Sequence, residues 1–418
     1  MDKALLELIR ISNETGVDPT LVQGGGGNTS VKTADGKYMY IKASGTALKD
    51  MNAKQGWRRL RLDLAQSVVK DESLAKMPPQ TREPEVVNRL LLACDDNIKT
   101  EARPSVEAHL HAWLDKCVIH LHPSAAGAYV NAGNGKALLD KLFKAEPLPP
   151  LWVPYTDPGY MLAKRIARLV DGYQRQFGKG PAMLFLEKHG LFITAGSAVG
   201  ALRLVRRVIK RCNSKLKQPK GGSLKAEGFG DGLGQATPKL RLRVPPSRQD
   251  IDDIKLCIER AYLEGTGEQA MIWYYNNNAV DEFCRHKDAR KMLSGALTPD
   301  ELVYANGPAM WVELQHRKRS ISRAVERYDW RRVANRLRQQ IERGRKPSVA
   351  FLVKDIGLFV AGTEKMAPTV RDIVLYSIFI RTNAHRMGGI VTLNKHQQDF
   401  INNWESEAFR KKLASEKK

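Results

Sequence analysis

Two histidines at the end of a short apolar run constrain this chain most. The run covers residues 117–123 (CVIHLHP), and its β-branched lead-in is typical of a buried strand. Side chains two residues apart on a strand point to the same face, so His120 and His122 would project together while Leu121 packs on the other side. Two imidazoles fixed on one strand form half of a common type of zinc site, which needs a third ligand.

A second His-x-His pair, His109 and His111, has the same spacing in a different local context. Residues 105–116 predict a helix, because Ser105 is a suitable N-cap and Ala, Leu and Trp follow it. Residues two apart on a helix lie on nearly opposite sides, so this pair cannot chelate one ion. The strand pair is therefore the candidate metal site.

An isolated histidine, His189, is the candidate third ligand. It lies at a polar corner between two apolar, strand-like runs within residues 183–194. An isolated histidine is more often structural than a ligand, but a site with two imidazoles lacks one more. Three imidazoles favour Zn²⁺ as the cofactor, although another divalent transition metal such as manganese or cobalt could substitute.

Four consecutive glycines, Gly24–Gly27, form a loop in which the backbone can approach a ligand closely. A turn at Asp35-Gly36 predicts a hairpin that returns residues 44–46 (Ser-Gly-Thr) to this loop, with Lys32 and Lys42 adding positive charge. Backbone N–H groups, hydroxyls and lysines are what a phosphate monoester needs. Taken alone, the loop matches no phosphate-binding fingerprint, and a purely structural loop is the alternative.

The net charge and the cysteine content limit the classes of partner and the cellular location that we expect. The 418 residues carry 68 Lys and Arg against 45 Asp and Glu, a net charge of +23 that favours an anionic partner. The basic residues lie mostly in helical patterns without a nucleic-acid-binding module, so we expect no nucleic-acid partner. Five cysteines without CxxC spacing, and no signal-peptide or membrane-spanning run, predict reduced thiols, no membrane partner and a cytoplasmic location.

A change in composition near the middle of the chain predicts two domains. Residues 218–249 are rich in glycine and contain paired prolines, so we predict domains at 1–217 and 250–418 joined by this linker or surface loop. Residues 352–360 echo residues 185–193 through a shared Gly-Leu-Phe, with Ile356 where the first copy has His189. A duplicated unit without metal ligands and an unrelated unit with a similar packing pattern both explain the echo.

Together these motifs resemble the class II aldolase/adducin family over residues 3 to about 200. The remainder is similar to a longer subgroup, the bifunctional rhamnulose-1-phosphate aldolase/lactaldehyde dehydrogenases. This chain carries no dinucleotide fingerprint, so we expect it to lack the dehydrogenase domain and activity. The resemblance implies an α/β fold, namely a three-layer α/β/α domain with a mainly antiparallel central sheet, plus a smaller C-terminal α/β domain that is a candidate degenerate repeat.

The resemblance also implies roles for individual residues. The family's His-x-His and His-Gly-Leu motifs supply the zinc ligands, which correspond to His120, His122 and His189. Its glycine–asparagine loop, its Ser-Gly strand end and its Pro-Ser-x-Glu turn bind the substrate phosphate and carry the acid/base. In this sequence the phosphate-binding residues correspond to Gly27, Asn28, Ser44, Gly45 and Ser105. The acid/base corresponds to Glu107.

Two further positions complete this comparison. Val106 stands where a second serine is common, which removes one hydroxyl from the expected phosphate contacts. Tyr155 or Tyr160 would act as an acid on the other substrate oxygen, a group that a neighbouring subunit often supplies in the family. We therefore expect a homo-oligomer, with Tyr155 as the leading candidate.

The implied function is that of a zinc-dependent aldehyde-lyase. It would cleave a ketose 1-phosphate similar to rhamnulose or fuculose phosphate into dihydroxyacetone phosphate and an aldehyde. A sugar-phosphate epimerase, decarboxylase or dehydratase on the same fold is one alternative. Another is a non-catalytic, adducin-like interaction module, whose mark would be loss of the histidine ligands. All three histidines and Glu107 are present, which favours an enzyme.

Overall fold

A computed structural model describes residues 2–96, 102–219, 246–313 and 330–404, which divide into two units. The first unit contains residues up to 217 together with 297–299 and 383–404, and the second contains the other described residues up to 382. The predicted domain limits, 1–217 and 250–418, stay a prediction. Most of the predicted linker at 218–249 lies outside the described residues.

The first unit is built around a seven-stranded sheet in the order β3-β2-β1-β4-β7-β6-β5. All neighbouring strands are antiparallel except β5 and β6, which confirms the predicted mainly antiparallel sheet. The apolar residues of the central strand β4 are completely buried, as the sequence pattern predicted. The strands are β1 Asn28–Lys32, β2 Tyr38–Lys42, β3 Trp57–Arg61, β4 Cys117–Leu121, β5 Leu151–Val153, β6 Met183–Leu186 and β7 Gly190–Ala195.

Helices cover both faces of this sheet, which gives the predicted three-layer arrangement. One layer contains α1, α6 and α9, and the other contains α2, α4, α5 and α8. In α1, Leu5, Leu8 and Ile11 are buried, because they form one apolar face of the helix, whereas Leu6 is exposed. The helices are α1 Lys3–Gly16, α2 Leu62–Lys70, α3 Glu72–Ala75, α4 Pro79–Leu92, α5 Ala108–His111, α6 Ser124–Val130, α7 Gly135–Leu142, α8 Tyr160–Phe177 and α9 Ala198–Asn213.

The second unit contains a four-stranded sheet in the order β8-β11-β10-β9. Only β9 and β10 are parallel among the described pairs of this sheet. Its strands are β8 Ile272–Tyr275, β9 Met310–Val312, β10 Ala350–Val353 and β11 Gly357–Ala361. The remaining helices among the described residues are α10 Arg248–Thr266, α11 Asn278–Cys284, α12 Ala289–Met292, α13 Pro299–Ala305, α14 Arg331–Glu342, α15 Ala367–Arg386 and α16 Lys395–Asn403.

The second sheet repeats four neighbouring strands of the first. The order β9-β10-β11-β8 has the same parallel, antiparallel, antiparallel pairing as β5-β6-β7-β4. Both tight corners place a non-glycine residue at positive φ, Lys188 at 56° and Asp355 at 60°. These shared features support duplication of an α/β unit over a coincidental packing pattern.

The strand register identifies what replaced the histidines in the second copy. Leu191 pairs with Leu121 in the first sheet, and Leu358 pairs with Tyr275 in the second. The positions that correspond to His120, His122 and His189 are therefore occupied by tyrosine, asparagine and isoleucine. They are Tyr274, Asn276 and Ile356. The second copy keeps the fold without the imidazoles, as the sequence echo predicted.

After α15 the chain rejoins the first unit. The backbone N–H of Lys217 donates to the side-chain oxygen of Asn383 at 2.8 Å, and Nζ of Lys188 donates to Oε1 of Gln397 at 3.1 Å. The backbone of Gly133 donates to that of Gly389 at 3.0 Å. Residues 383–404 therefore group with the first unit, a return that the sequence patterns did not indicate.

None of the helices in the described ranges is both long enough and apolar enough to cross a membrane. The longest of them, α15, has 20 residues. Its charged side chains include Arg371, Asp372 and Arg381.

Candidate active site

The three predicted imidazoles meet in the first unit. One ring nitrogen each from His120, His122 and His189 lies within 4.8 Å of the others, and all three residues are buried. Nε2 of His120 is 3.0 Å from Nε2 of His122. His120 lies on strand β4, His122 follows the last residue of that strand, and His189 lies at the corner between β6 and β7. In the part of the chain that the structure describes, these residues form the group that could hold a metal ion.

The chemistry of these donors fits a divalent transition metal. Nδ1 of His120 lies 3.2 Å from the carbonyl oxygen of Leu191, to which it donates, so Nε2 keeps its lone pair for the shared centre. Burial lowers the pKa of His120 well below its ordinary value, so the ring is neutral, the form that binds metals. Ligand nitrogens at 2.0–2.1 Å from a tetrahedral Zn²⁺ are about 3.3 Å apart, close to the separation of the two Nε2 atoms.

The approach of β7 to β4 requires a glycine. A Cβ atom at Gly190 would lie 2.6 Å from the carbonyl oxygen of Leu121 and 2.7 Å from Cδ2 of His122. Any side chain there would therefore displace the imidazole rings. On the other side of His189, the positive φ of Lys188 closes the tight corner. Together these two neighbours set the position of the third ring.

A buried carboxylate faces the imidazoles. Oε2 of Glu107 accepts a hydrogen bond from Nδ2 of Asn28 at 2.6 Å and lies 3.6 Å from Nε2 of His120. Oε1 is 3.9 Å from Nε2 of His189, and it is buried with no hydrogen-bond partner among the described residues. Burial raises the pKa of Glu107, whereas attraction to His120 and His189 in their protonated forms and the hydrogen bond from the Asn28 amide lower it.

Strand register brings Asn28 and Glu107 to this place. Asn28 is opposite His120 in the antiparallel pair of β1 and β4. Gly27 enters that pair with a φ of 65°, and a Cβ there would lie 2.7 Å from the carbonyl oxygen of His120. Glu107 immediately precedes α5, and its N–H donates to Oγ of Ser105 at 3.3 Å. Helix α5 covers only residues 108–111, shorter than the helix predicted at 105–116.

The predicted phosphate-binding segments also lie together. The backbone N–H of Ser44 donates to the carbonyl of Arg103 at 2.8 Å, and that of Ser105 donates to the carbonyl of Lys42 at 2.9 Å. Nζ of Lys42 reaches the glycine loop, where it donates to the carbonyl of Gly25 at 3.3 Å. The loop, the end of β2 and the turn before Glu107 are thus neighbours, with Gly45 at a φ of 78°.

The expectation that Lys32 adds positive charge to the phosphate region is wrong. Its Nζ donates to the carbonyl oxygens of His111, Leu114 and Asp115 at 2.5–2.9 Å. These carbonyls lie at the end of α5 and just after it, where cations stabilise unpaired carbonyl groups. Burial lowers the pKa of Lys32 to about 8. The side chain therefore supports the α5 segment.

The second His-x-His pair lies outside the metal group, as predicted from its helical context. The rings of His109 and Tyr160 are nearly parallel, whereas Nδ1 of His111 is 2.8 Å from Oγ of Ser30. The ring of His111 also contacts Phe192, which stacks on His120 with centroids 4.1 Å apart. The stacking of Phe192 on His120 was not predicted from the sequence. It follows from the strand register, in which Phe192 of β7 is opposite His120 of β4.

Residues 7–216 match the family model described as the class II aldolase and adducin N-terminal domain. The chain belongs to this family. The match covers half of the chain and includes every predicted ligand and phosphate-binding residue. The family assignment from the sequence is thereby confirmed.

Individual relatives of this class II aldolase-family chain are distant. The uncharacterized oxidoreductase YuxG of Bacillus subtilis is 27% identical over 442 residues, covering 99% of this chain but 59% of that protein. A solved N-terminal class II aldolase domain from Thermoplasma acidophilum is 29% identical and covers 51% of this chain and 94% of that chain, with a TM-score of 0.42. L-fuculose-1-phosphate aldolase from Thermus thermophilus is 16% identical, covers 50% and 92%, and has a TM-score of 0.30.

The two candidate tyrosines of this class II aldolase domain have different surroundings. The hydroxyl of Tyr160 donates to the carbonyl of Asp71 at 2.6 Å, in the turn between α2 and α3. The hydroxyl of Tyr155 donates to Oδ1 of Asp157 at 3.1 Å, and its ring lies 4.7 Å from Nζ of Lys188. Burial and Asp157 raise the pKa of Tyr155, so it is a neutral proton donor. Burial also raises the pKa of Tyr160, so the choice of Tyr155 as the acid stays a prediction.

Proposed function

We propose that this chain is a metal-dependent class II sugar-phosphate aldolase. It would cleave a ketose 1-phosphate of the rhamnulose or fuculose type into dihydroxyacetone phosphate and an aldehyde. The observation that carries the proposal is the meeting of three imidazoles with the buried carboxylate of Glu107, whose Oε1 has no hydrogen-bond partner among the described residues. Membership of the class II aldolase and adducin family supports it.

The metal would be held by His120, His122 and His189. Three imidazole donors favour Zn²⁺ over harder divalent cations. When bound there, the ion would act as a Lewis acid towards the oxygen atoms of the substrate. The carbonyl of Leu191 fixes the tautomer and direction of His120, as outer hydrogen bonds do in other histidine sites.

The phosphate group of the substrate would bind between the glycine loop and the turn before Glu107. Gly27 and Gly45 would contribute backbone N–H donors there, and Ser44 and Ser105 would contribute hydroxyl donors, because the backbone N–H groups of the two serines already bind carbonyls. Asn28 would join this region to the proton-transfer group, because one N–H of its amide goes to Glu107 and an amide has a second to donate. Phosphate binding would thus orient the carbon atoms of the substrate beside the carboxylate.

Two groups would move protons. Glu107, ionised in the buried site, would remove a proton from the three-carbon ketone in condensation and return it in cleavage. Tyr155 would exchange the proton on the aldehyde oxygen, donating it in condensation. The family resemblance implies that this second group serves the site of a neighbouring subunit, so the proposal includes a homo-oligomer.

The substitution Glu107→Gln tests the proton-transfer role, because it keeps the size of the side chain and removes the base. We expect kcat for release of dihydroxyacetone phosphate to fall by about 10²- to 10⁴-fold with metal content unchanged. Glu85→Gln, in the surface pair with Arg89 on α4, is the matched control and should keep the wild-type rate. A full lyase rate in Glu107→Gln would contradict the assignment, and products of another type would assign the site to epimerisation, decarboxylation or dehydration.

A further inference from the structure

One buried lysine beside the metal group has no part in the chemistry described so far. Lys188 is 7% exposed and directly precedes His189. Its φ of 56° is uncommon for a residue other than glycine, asparagine or aspartate. Asp355 has the same conformation at the corresponding corner of the second copy, which lacks the imidazoles, so this φ belongs to the corner itself. What distinguishes Lys188 is its side chain, which contacts Tyr155 and α16.

The side chain of Lys188 extends to Tyr155. Its Nζ lies 4.7 Å from the centre of the tyrosine ring, within the range of a cation–π interaction. The preceding residue, Glu187, accepts a hydrogen bond from the backbone N–H of Tyr155 at 3.0 Å, and its own N–H donates to the carbonyl of Val153 at 3.0 Å. The corner that carries His189 thus also holds the backbone and the ring of Tyr155.

The far end of Lys188 is anchored by α16. Nζ donates to Oε1 of Gln397 at 3.1 Å, across 209 positions of sequence. The same Oε1 accepts the backbone N–H of Asn394 at 2.9 Å, as part of the capping box that starts this helix. Because the cap fixes Gln397, the amide offers Lys188 a rigid acceptor.

We propose that Lys188 and Gln397 are positioning residues for Tyr155. Gln397 holds the ammonium group in place, and the ammonium group holds the tyrosine ring in the orientation that proton transfer needs. The inference rests on the proposed function of Tyr155 as an acid. The segment that follows α15 would then help to position Tyr155 through Gln397.

Kinetics of matched variants test this role. Lys188→Met and Gln397→Leu should each lower kcat by about 10- to 100-fold through misplacement of the acid, with KM changed less than about twofold. Lys188→Arg, which restores the cation, should recover most of the loss. Combining Lys188→Met with Tyr155→Phe should add little to the effect of Tyr155→Phe alone, because the two residues act as one unit.

A control lies on the same helix. Lys395→Met removes an exposed ammonium group and leaves the capping box and Gln397 in place. This variant should keep the wild-type kcat. Metal content should be equal in all variants, and loss of metal in Lys188→Met would overturn the inference because the effect would then act through His189.

A spectroscopic measurement separates this inference from the proposed function. In protein labelled with 3-fluorotyrosine, the ¹⁹F resonance of Tyr155 is the one that Tyr155→Phe removes. It should shift in Lys188→Met and Gln397→Leu but not in Lys395→Met. An unshifted resonance, or a shifted resonance with an unchanged kcat, would overturn the positioning role. Absence of lyase activity in the wild-type protein would instead refute the proposed function.

Discussion

At the scale of single residues, the contact between β7 and the imidazoles leaves room only for hydrogen at position 190. A Cβ atom on Gly190 would lie 2.6 Å from the carbonyl oxygen of Leu121, 2.7 Å from Cδ2 of His122 and 3.2 Å from Cε1 of His120. Two of these neighbours belong to the proposed metal group. A methyl group there would therefore act on ligand geometry as well as on packing.

We expect Gly190→Ala to weaken Zn²⁺ binding by at least about tenfold, since the rings must move apart. Overpacking should also lower the free energy of unfolding by about 1–3 kcal/mol. Chelator-competition titration and urea unfolding measure the two effects. Gly196→Ala is the matched control, because a Cβ there meets no atom within 4 Å. Wild-type Zn²⁺ affinity in Gly190→Ala would contradict the proposed ligand geometry.

Residue-level prediction from the sequence was reliable where local geometry alone decides direction. The strand period placed His120 and His122 on one side, and the helical context excluded His109 and His111. The partner of Glu107 was not predictable, because Asn28 reaches it only through the register of β1 on β4. Lys32 was misplaced for the same reason, since its direction depends on where the carbonyls after α5 lie.

At the scale of elements, α5 buries two neutral histidines in one short helix. Burial lowers the pKa of His109 to about 4 and that of His111 to about 3, whereas an imidazole in an unfolded chain has a pKa of about 6.5. Between these values the unfolded state takes up protons that the folded state excludes. The stability contributed by the neutral rings is therefore fully present above pH 6.5 and is lost as the pH falls towards 4.

We expect the substitution His109→Phe, which keeps a ring beside Tyr160, to reduce this pH dependence. One buried histidine of this kind lowers the free energy of unfolding by about 2 kcal/mol between pH 7 and pH 5. Urea unfolding of wild type and variant at both pH values gives the difference directly. His396→Phe, which alters an exposed ring, should retain the wild-type dependence. An equal loss of stability on acidification in His109→Phe would show that His109 is not excluded from protonation.

At the scale of the whole molecule, the family resemblance implied the layers and the sequence showed the echo, but neither indicated the path of the last segment. The apolar runs at 117–123 and 183–194 contain β4, β6 and β7, and the shared Gly-Leu-Phe identified the matching hairpin, whereas β3, β8 and β9 were not predicted as strands. The return of residues 383–404 to the first unit depends on contacts such as Lys217 with Asn383, which are 166 positions apart. No local pattern encodes such a contact, because each partner is an ordinary polar residue.

The core of the second unit contains a buried ion pair whose loss should be costly. Arg381 is completely buried and contacts both carboxylate oxygens of Glu301 at 2.8 and 2.9 Å. Arg381→Met would leave that carboxylate without its cation, so we expect the free energy of unfolding to fall by about 3–5 kcal/mol. Arg371→Met removes a partly exposed partner of Asp372 and should cost about 0–1 kcal/mol. Equal effects of the two substitutions in urea unfolding would contradict this expectation.

The most direct test of the account is the metal content of purified wild-type protein and of His189→Ala after equilibration with Zn²⁺ and removal of excess metal. His189 lies at the corner between β6 and β7, far in sequence from His120 and His122. It can therefore bind the same ion only when the protein is folded. We expect about one Zn²⁺ per wild-type chain, retention in His396→Ala, and loss in His189→Ala. Undiminished Zn²⁺ content and affinity in His189→Ala would show that the three imidazoles do not share one ion.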